Sequence, residues 1–447
     1  MRIGIVGAGL SGLATAFYLK RALPDAALVV FEAEARPGGK LHTDEIEGFR
    51  FEAGANGFLT NKPDSLQLIE DCGAAQYLLP SSDLARKRYI YTDRLHRMPE
   101  SPPAFLKSRL LTWPQKLRVL GELVVPARRD GGDETLREFG DRRLGPAFTA
   151  VFLDAMSAGI YGSTPEKISV RAAFPLVVAL ECEHGGLFRG MLAQRKRGAG
   201  PGGVLTSTTG GIGTLIRHLH GVIDAEWRFG EPVDCVERSG SGFTVHSARG
   251  ATELDQVVIC ATSFAAAEML RSLDADLARR LAAIAYSPIA VVGFGYRSLP
   301  DALDGFGLLT TTSAHSPVLG VLWDSSIFPD RAPAGCKSMR VMVGGQRNPE
   351  LVAQDAAGLI RTARTGLEQT MGLTQDPDVT YVQRWERGIP NYAPGHIANV
   401  DAIFARAART PGLHLNCNAY RGIAMNDCAK HGRELAAQMA RTLTTSR

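Results

Sequence analysis

The chain opens on MRIGIVGAGLSG, a β-branched run at Ile3–Val6 that passes directly into glycines at Gly7, Gly9 and Gly12. An apolar, helix-like run follows at Leu13–Leu23, and then a second strand-like run, Leu28–Phe31, that ends on Glu32. Strand, G-x-G-x-x-G, helix, strand and acid in this order predict a dinucleotide-binding βαβ unit. Gly7 allows the tight turn, Gly9 lets backbone approach a diphosphate and Gly12 lets helix pack close to strand, with Ala8, Leu10 and Ser11 completing the loop. The free N–H groups and the positive dipole end of the helix then face the phosphates. Glu32 stands 20 positions beyond Gly12, where a carboxylate accepts both ribose hydroxyls.

The next segment favours a flavin dinucleotide over a nicotinamide one. Residues 32–40 read EAEARPGGK, so Ala33 follows the acid and a basic residue, Arg36, precedes the pair Gly38 and Gly39 and then Lys40. A second glycine crossing with a cation beside it offsets diphosphate charge. An ordinary Pro-Gly-Gly turn is the alternative. A third glycine element, FEAGANGFL, lies at Phe51–Leu59.

GAGLSG, EARPGGK and EAGANGF together resemble the flavin-containing amine oxidase superfamily and, within it, the protoporphyrinogen/coproporphyrinogen oxidases of haem synthesis. SAGIYGSTPEKISVRAAFP at Ser157–Pro175, WERGIPNYAPGH at Trp385–His396 and NAYRGIAMNDC at Asn418–Cys428 are similar to that family's internal and closing motifs. The resemblance therefore covers essentially the whole chain. It implies an α/β architecture: a Rossmann-like FAD-binding domain of glutathione-reductase type, a mixed-sheet substrate domain and a small all-α domain.

By the resemblance, Gly54, Ala55, Asn56 and Gly57 line the flavin ring or ribityl chain, and Val233 contacts adenine through its backbone. Ile423, Ala424, Met425 and Asn426 open the last helix, whose N–H groups favour negative charge on a reduced ring. Asp427, next in line, reads equally as a helix N-terminal carboxylate, and Trp385 either packs beside the flavin or is a core tryptophan. For substrate, Arg88 in KRYIY matches a cation that pairs with a porphyrinogen propionate; a plain surface arginine is its rival. Gly159 matches a glycine that admits a pyrrole edge, and Leu308 an apolar clamp on the macrocycle. Tyr161-Gly162-Ser163-Thr164 and Cys417 depart from the family pattern, so loop geometry there is not carried over.

The implied reaction takes six electrons from a porphyrinogen, converting three dioxygen to three hydrogen peroxide, each cycle passing a hydride from a meso carbon to flavin N5. No catalytic acid or base stands out, as expected where the cofactor carries the chemistry. The FAD is expected to be non-covalent, since no Cys or His sits in a recognisable attachment motif. Implied partners are the porphyrinogen, dioxygen and ferrochelatase as the next haem-pathway enzyme, with monomer and homodimer both open. An amine or carotenoid oxidoreductase on the same scaffold is the alternative, and a flavin-bound carrier without turnover is a third reading. Protoporphyrinogen and coproporphyrinogen, which differ by two vinyl groups against two extra propionates, are not separated.

At 447 residues, 45% hydrophobic and 21% charged, the chain is globular and too long for one core. The reading divides it into an FAD-binding domain at 1–85, 205–260 and 396–447, a helical domain at 86–204 and a substrate domain at 261–395. Strand-like pieces at Pro232–Val236, Phe243–His246 and Gln256–Cys260 are assigned to an antiparallel section over the adenine. RKRGAGPGG, Arg195–Gly203, reads as an exposed loop. Seven scattered cysteines without C-x-x-C argue against a disulfide framework or zinc, and Cys182-Glu183-His184 has no second pair, so no metal is expected. No run reaches the roughly 18 uncharged apolar residues of a membrane span.

The absence of an export signal before Arg2 leads to an expectation of cytoplasmic location. Charge concentrates in Leu84–Arg129, where eleven basic and three acidic residues give +8 against +4 for the whole chain. An anionic membrane surface, a polyanionic substrate and a solvated helical face all remain open for that segment. No nucleic-acid motif accompanies it.

Overall fold

The first strand, Arg2–Val6, is the middle of a five-stranded parallel sheet, flanked by Ala27–Glu32 and Gln256–Ile259, with Glu226–Phe229 and Leu413–Leu415 at the edges. The structure is a computed structural model, describing residues 1–128, 130–196, 203–300 and 303–445. Strands covered on both faces read as unbroken apolar runs, and LVVF and QVVI do so here. One face carries the first helix, Leu10–Ala22, and the closing helix, Met425–Thr445. These helices approach so closely that a Cβ on Gly432 would stand 2.8 Å from that of Ala14. The other face carries a three-stranded antiparallel sheet, Val233–Ser239, Gly242–Ser247 and Gly250–Leu254, with helices Ser263–Met269, Ala275–Ala282 and His396–Ala407.

One strand assignment is corrected. Gln256–Ile259 is not the third antiparallel strand but the neighbour of the first parallel one, in register Ile3 to Gln256. Its continuous burial demands two covered faces, whereas the true third strand, GATEL at Gly250–Leu254, is half polar and exposed.

The second layer is a seven-stranded mixed sheet in the order Val379–Pro390, Tyr286–Tyr296, Lys337–Gly344, Val318–Leu322, Gly307–Thr310, Arg88–Tyr91 and Leu95–Arg97. Its last two strands come from the stretch read as helical, because Arg88–Tyr91 pairs in parallel with Gly307–Thr310. The 12-residue strand Val379–Pro390 was not foreseen. Gln383, Arg384, Glu386 and Arg387 interrupt its apolar pattern, as an edge strand facing solvent requires. Helix Ala356–Met371 covers one face through Leu359, Ala363 and Leu367; Asp355 caps its start by accepting the Gly358 amide at 2.7 Å.

Against the other face lie short helices that include Trp113–Leu120, Leu136–Arg143, Asp154–Tyr161, Pro175–His184 and Leu187–Lys196. Charge is buried inside this segment: fully enclosed Arg143 meets Glu122 and Glu181, and Arg142 reaches Glu134 and Glu181 at 2.7 Å each. The segment read as an exposed loop begins inside the last of these helices, and residues 197–202 lie outside the described residues. Among the described residues, no helix is long and apolar enough to cross a membrane.

The mixed sheet is tied to the backbone at the end of the strand Phe49–Glu52 by Arg340, a fully buried cation in the strand Lys337–Gly344. Its Nε and Nη2 donate to the Asp324 carboxylate at 2.7 and 2.9 Å, and its Nη1 donates to the carbonyls of Glu52 and Gly54 at 2.8 and 2.9 Å. Removing one member of such a group leaves a buried charge and two carbonyls unpaired, which costs about 3–5 kcal/mol. Arg340→Met is therefore expected to lower the urea midpoint by that equivalent. Arg340→Lys should restore only part of it, since an ammonium lacks the planar fork.

Candidate active site

Sterics fix the first glycine turn. Gly7 has φ +102°, its amide donates to Phe31 O at 2.7 Å, and a Cβ there would meet Ala261 N at 2.9 Å. A Cβ on Gly12 would fall 1.9 Å from Gly7 O. A Cβ on Gly9, by contrast, has nothing within 4 Å: this open position caps a helix with no side-chain cap and no acid in its first turn. Uncapped amides and an uncompensated dipole over open space suit a diphosphate.

Glu32 ends the second strand, buried beside this turn. Its Oε2 accepts the Ala8 amide at 2.7 Å and its Oε1 the Glu34 amide at 3.0 Å, so it shapes the turn. The Glu231 amide donates to Glu32 O at 2.9 Å, which brings Val233 to the same corner. Ala33 is exposed next to it, and Leu10 and Ser11 are buried in the first helical turn.

The second glycine turn folds onto the first. Gly38 donates to Ala8 O at 2.8 Å, Gly38 and Gly39 both have positive φ, and a Cβ on Gly39 would stand 3.7 Å from Gly9 Cα. Arg36 closes the turn by donating to Pro37 O and Gly39 O at 3.3 Å each. Lys40 does not join it. Its Nζ turns away and donates to Arg387 O at 3.1 Å and to Gly388 O, in a bulge of Val379–Pro390. Burial pulls its pKa down to about 8.

The third element is pinned from the mixed sheet, by Arg340 at the Glu52 and Gly54 carbonyls and by Trp385, whose Nε1 donates to Ala53 O at 2.8 Å. Glycine is required twice: a Cβ on Gly54 would meet Lys40 O at 2.5 Å, and one on Gly57 would meet Thr206 O at 2.3 Å. Between them Ala55 is exposed, and the buried Nδ2 of Asn56 has no partner. Below lies Glu52, which the sequence reading did not single out. It accepts from Thr43 Oγ1 at 2.7 Å and the Ile212 amide at 3.0 Å, and burial pushes its pKa up against the pull of Arg331 at 3.1 Å.

At the start of the closing helix Ile423 is half-buried, Ala424 exposed and Met425 buried. The Asn426 side chain is a staple: its Oδ1 accepts the Ser65 amide and its Nδ2 donates to Leu59 O, both at 3.0 Å. The Met425 and Asn426 amides lie in the first turn, where the helix supplies no acceptor. Asp427 accepts the Ala424 amide at 3.2 Å and pairs with Lys62 at 3.0 Å, the helix-terminal role.

The three residues expected around substrate do not share one surface. Leu308 is buried in the core that packs under helix Ala356–Met371. Adjacent residues of a strand face opposite ways, and it is Leu309 that meets Gly159: a Cβ on Gly159 would stand 2.9 Å from a Leu309 methyl. Arg88 alternates with Tyr89 and so shares a face with Ile90, which packs with Leu309. Its exposed guanidinium lies 5.0 Å from the Phe306 ring centroid, and among the described residues no carboxylate pairs with it.

The chain resembles known proteins over nearly its whole length. It is 26% identical to the coproporphyrinogen III oxidase of Bacillus subtilis over 96% of each chain. It is 28% identical to the chloroplastic protoporphyrinogen oxidase of Oryza sativa, covering 98% of this chain and 88% of that one. A solved structure from Exiguobacterium sp. 255-15, assigned provisionally as a protoporphyrinogen oxidase, superposes with a TM-score of 0.88 at 26% identity over 99% of each chain. A reduced UDP-galactopyranose mutase, at a TM-score of 0.75 and 16% identity, shares the fold alone. The sequence profile described as flavin containing amine oxidoreductase matches residues 10–440, and the chain belongs to that family.

Proposed function

We propose that the chain oxidises a porphyrinogen to its porphyrin, using non-covalent FAD and dioxygen. The observation that carries this reading is the near-full-length likeness to enzymes named for both porphyrinogens. The residues present fit a flavin dinucleotide: the open position at Gly9 would receive a diphosphate, and the Asn56 Nδ2, unpartnered among the described residues, would donate to the bound group. Glu32 would hold the ribose and Val233 the adenine. Gly9, Gly39 and Arg36 would surround the diphosphate, and Gly54–Gly57 with Ile423–Asn426 would border the ring. When bound, the flavin supplies a two-electron acceptor that dioxygen restores.

The chain's own residues position and exclude. Arg340 and Trp385 fix the Ala53 and Gly54 backbone that would border the ring, and the positive end of the closing helix would favour negative charge on it. Arg88, free of carboxylates among the described residues, is assigned to a substrate propionate, with Leu309 in place of Leu308 as the apolar contact on that face.

The helical segment suits a peripheral contact with an anionic membrane. Trp113, Leu117, Leu120, Leu123 and Val124 are exposed, in the same stretch as the cationic excess. Apolar insertion and electrostatic attraction add on such surfaces.

Three outcomes test these assignments. Glu32→Ala should weaken flavin retention in a dilution titration by the equivalent of about 1.5–3 kcal/mol, the worth of a charged hydrogen bond; unchanged retention removes the ribose assignment. Arg88→Ala should raise KM roughly ten- to a hundredfold for one or both porphyrinogens while kcat moves far less, and Arg88→Lys should recover part. An unchanged KM for both places the propionate elsewhere. In flotation with anionic vesicles the chain should bind at low salt and detach as salt rises, and Trp113→Ala with Leu117→Ala should weaken binding at any salt.

A further inference from the structure

The Arg36 guanidinium that closes the second glycine turn has one further contact: its Nη2 lies 2.7 Å from Nδ1 of His42. A guanidinium only donates, so Nδ1 must be a bare acceptor and the imidazole proton must sit on Nε2. Nε2 lies 3.2 Å from Asp44 Oδ2, which also accepts from the Tyr381 hydroxyl at 2.8 Å. Trp385 meets the imidazole edge to face at 6.2 Å, and the His42 side chain is only 12% exposed. The groups facing His42 are thus Arg36 from its own loop, Asp44 from the adjoining strand, and Tyr381 with Trp385 from Val379–Pro390. Gly39 O lies 3.3 Å from the same Nδ1, and with Nδ1 bare the two are in contact without a hydrogen bond.

Protonation changes each of these contacts. A proton on Nδ1 opposes the Arg36 donor and finds its acceptor in Gly39 O, the carbonyl that Arg36 itself uses to close the turn. We propose that His42 is a positioning residue for the flavin site: neutral, it anchors Arg36 and holds the second glycine turn against Gly9, and protonated, it releases Arg36 and loosens that turn. The inference rests on the FAD reading above, since it concerns the turn assigned to the diphosphate.

Burial and the Arg36 cation hold the His42 pKa below its ordinary 6.5, against the opposing pull of Asp44. A depressed pKa means that the anchored state is fully favoured above that ordinary value and loses its advantage as pH falls through the lowered one.

The test measures flavin retention rather than turnover. Holoenzyme and variants are diluted at pH values from about 5 to 8, released flavin is followed by fluorescence, and phosphodiesterase digestion identifies it as FAD. The parent should hold flavin evenly above about pH 6.5 and lose affinity in acid by up to about tenfold per pH unit. His42→Asn keeps an acceptor for Arg36 and cannot be protonated, so it should match the parent at neutral pH within about threefold and lack the acid loss. His42→Leu should be about tenfold or more weaker already at neutral pH, the loss of one charge-assisted hydrogen bond. An acid loss in His42→Asn equal to the parent's, or parental retention in His42→Leu, overturns the proposal and leaves FAD binding intact. A chain that releases no FAD overturns both.

Discussion

A single buried guanidinium, that of Arg340, holds the Glu52–Gly54 backbone against the mixed sheet. Each sheet has its own apolar core and needs no help to bury its strands. What neither core fixes is the Glu52–Gly54 backbone, and Arg340 does so with four hydrogen bonds to one carboxylate and two backbone carbonyls. An apolar residue of similar volume would pack, but it would leave Glu52 O and Gly54 O without the Arg340 donors. Lys40 repeats the device in the opposite direction, reaching from a glycine turn to carbonyls of the other sheet.

The glycines answer a complementary demand. At Gly12, Gly54 and Gly57 the obstacle to a side chain is another segment's backbone, which cannot move aside as a flexible side chain does. Gly9 alone is open. Three positions are thus glycine so that protein can approach protein, and one so that something else can approach protein. That distinction separates the structural from the receptive members of motifs that look uniform as letters.

Local sterics are legible in sequence, and distant partners are not. Gly7, Gly12 and Glu32 stand where the βαβ pattern put them, because strand, turn and helix fix one another within a few dozen residues. Lys40 was read as a phosphate-side cation since its neighbours are glycines, yet its partner is 347 positions away. Leu308 and Leu309 show a second limit: a register of one residue decides which face a side chain takes, and an apolar pair in a strand does not declare it. Arg340 was silent for a related reason. A lone cation in SMRVMV becomes meaningful only once Asp324 is known to stand beneath it.

The order of strands in the parallel sheet also has a cost in time. The first strand cannot be covered on both sides until Gln256–Ile259 arrives, and the sheet is not closed until Leu413–Leu415 and the last helix follow. At translation rates of about 5–20 residues per second, the N-terminal βαβ unit waits roughly 10–45 s for Gln256–Ile259 with an apolar edge exposed. Long-range parallel pairing is intrinsically slow to form. A chain cut short before Gln256 would keep that edge unpaired, the template on which strands of other chains add.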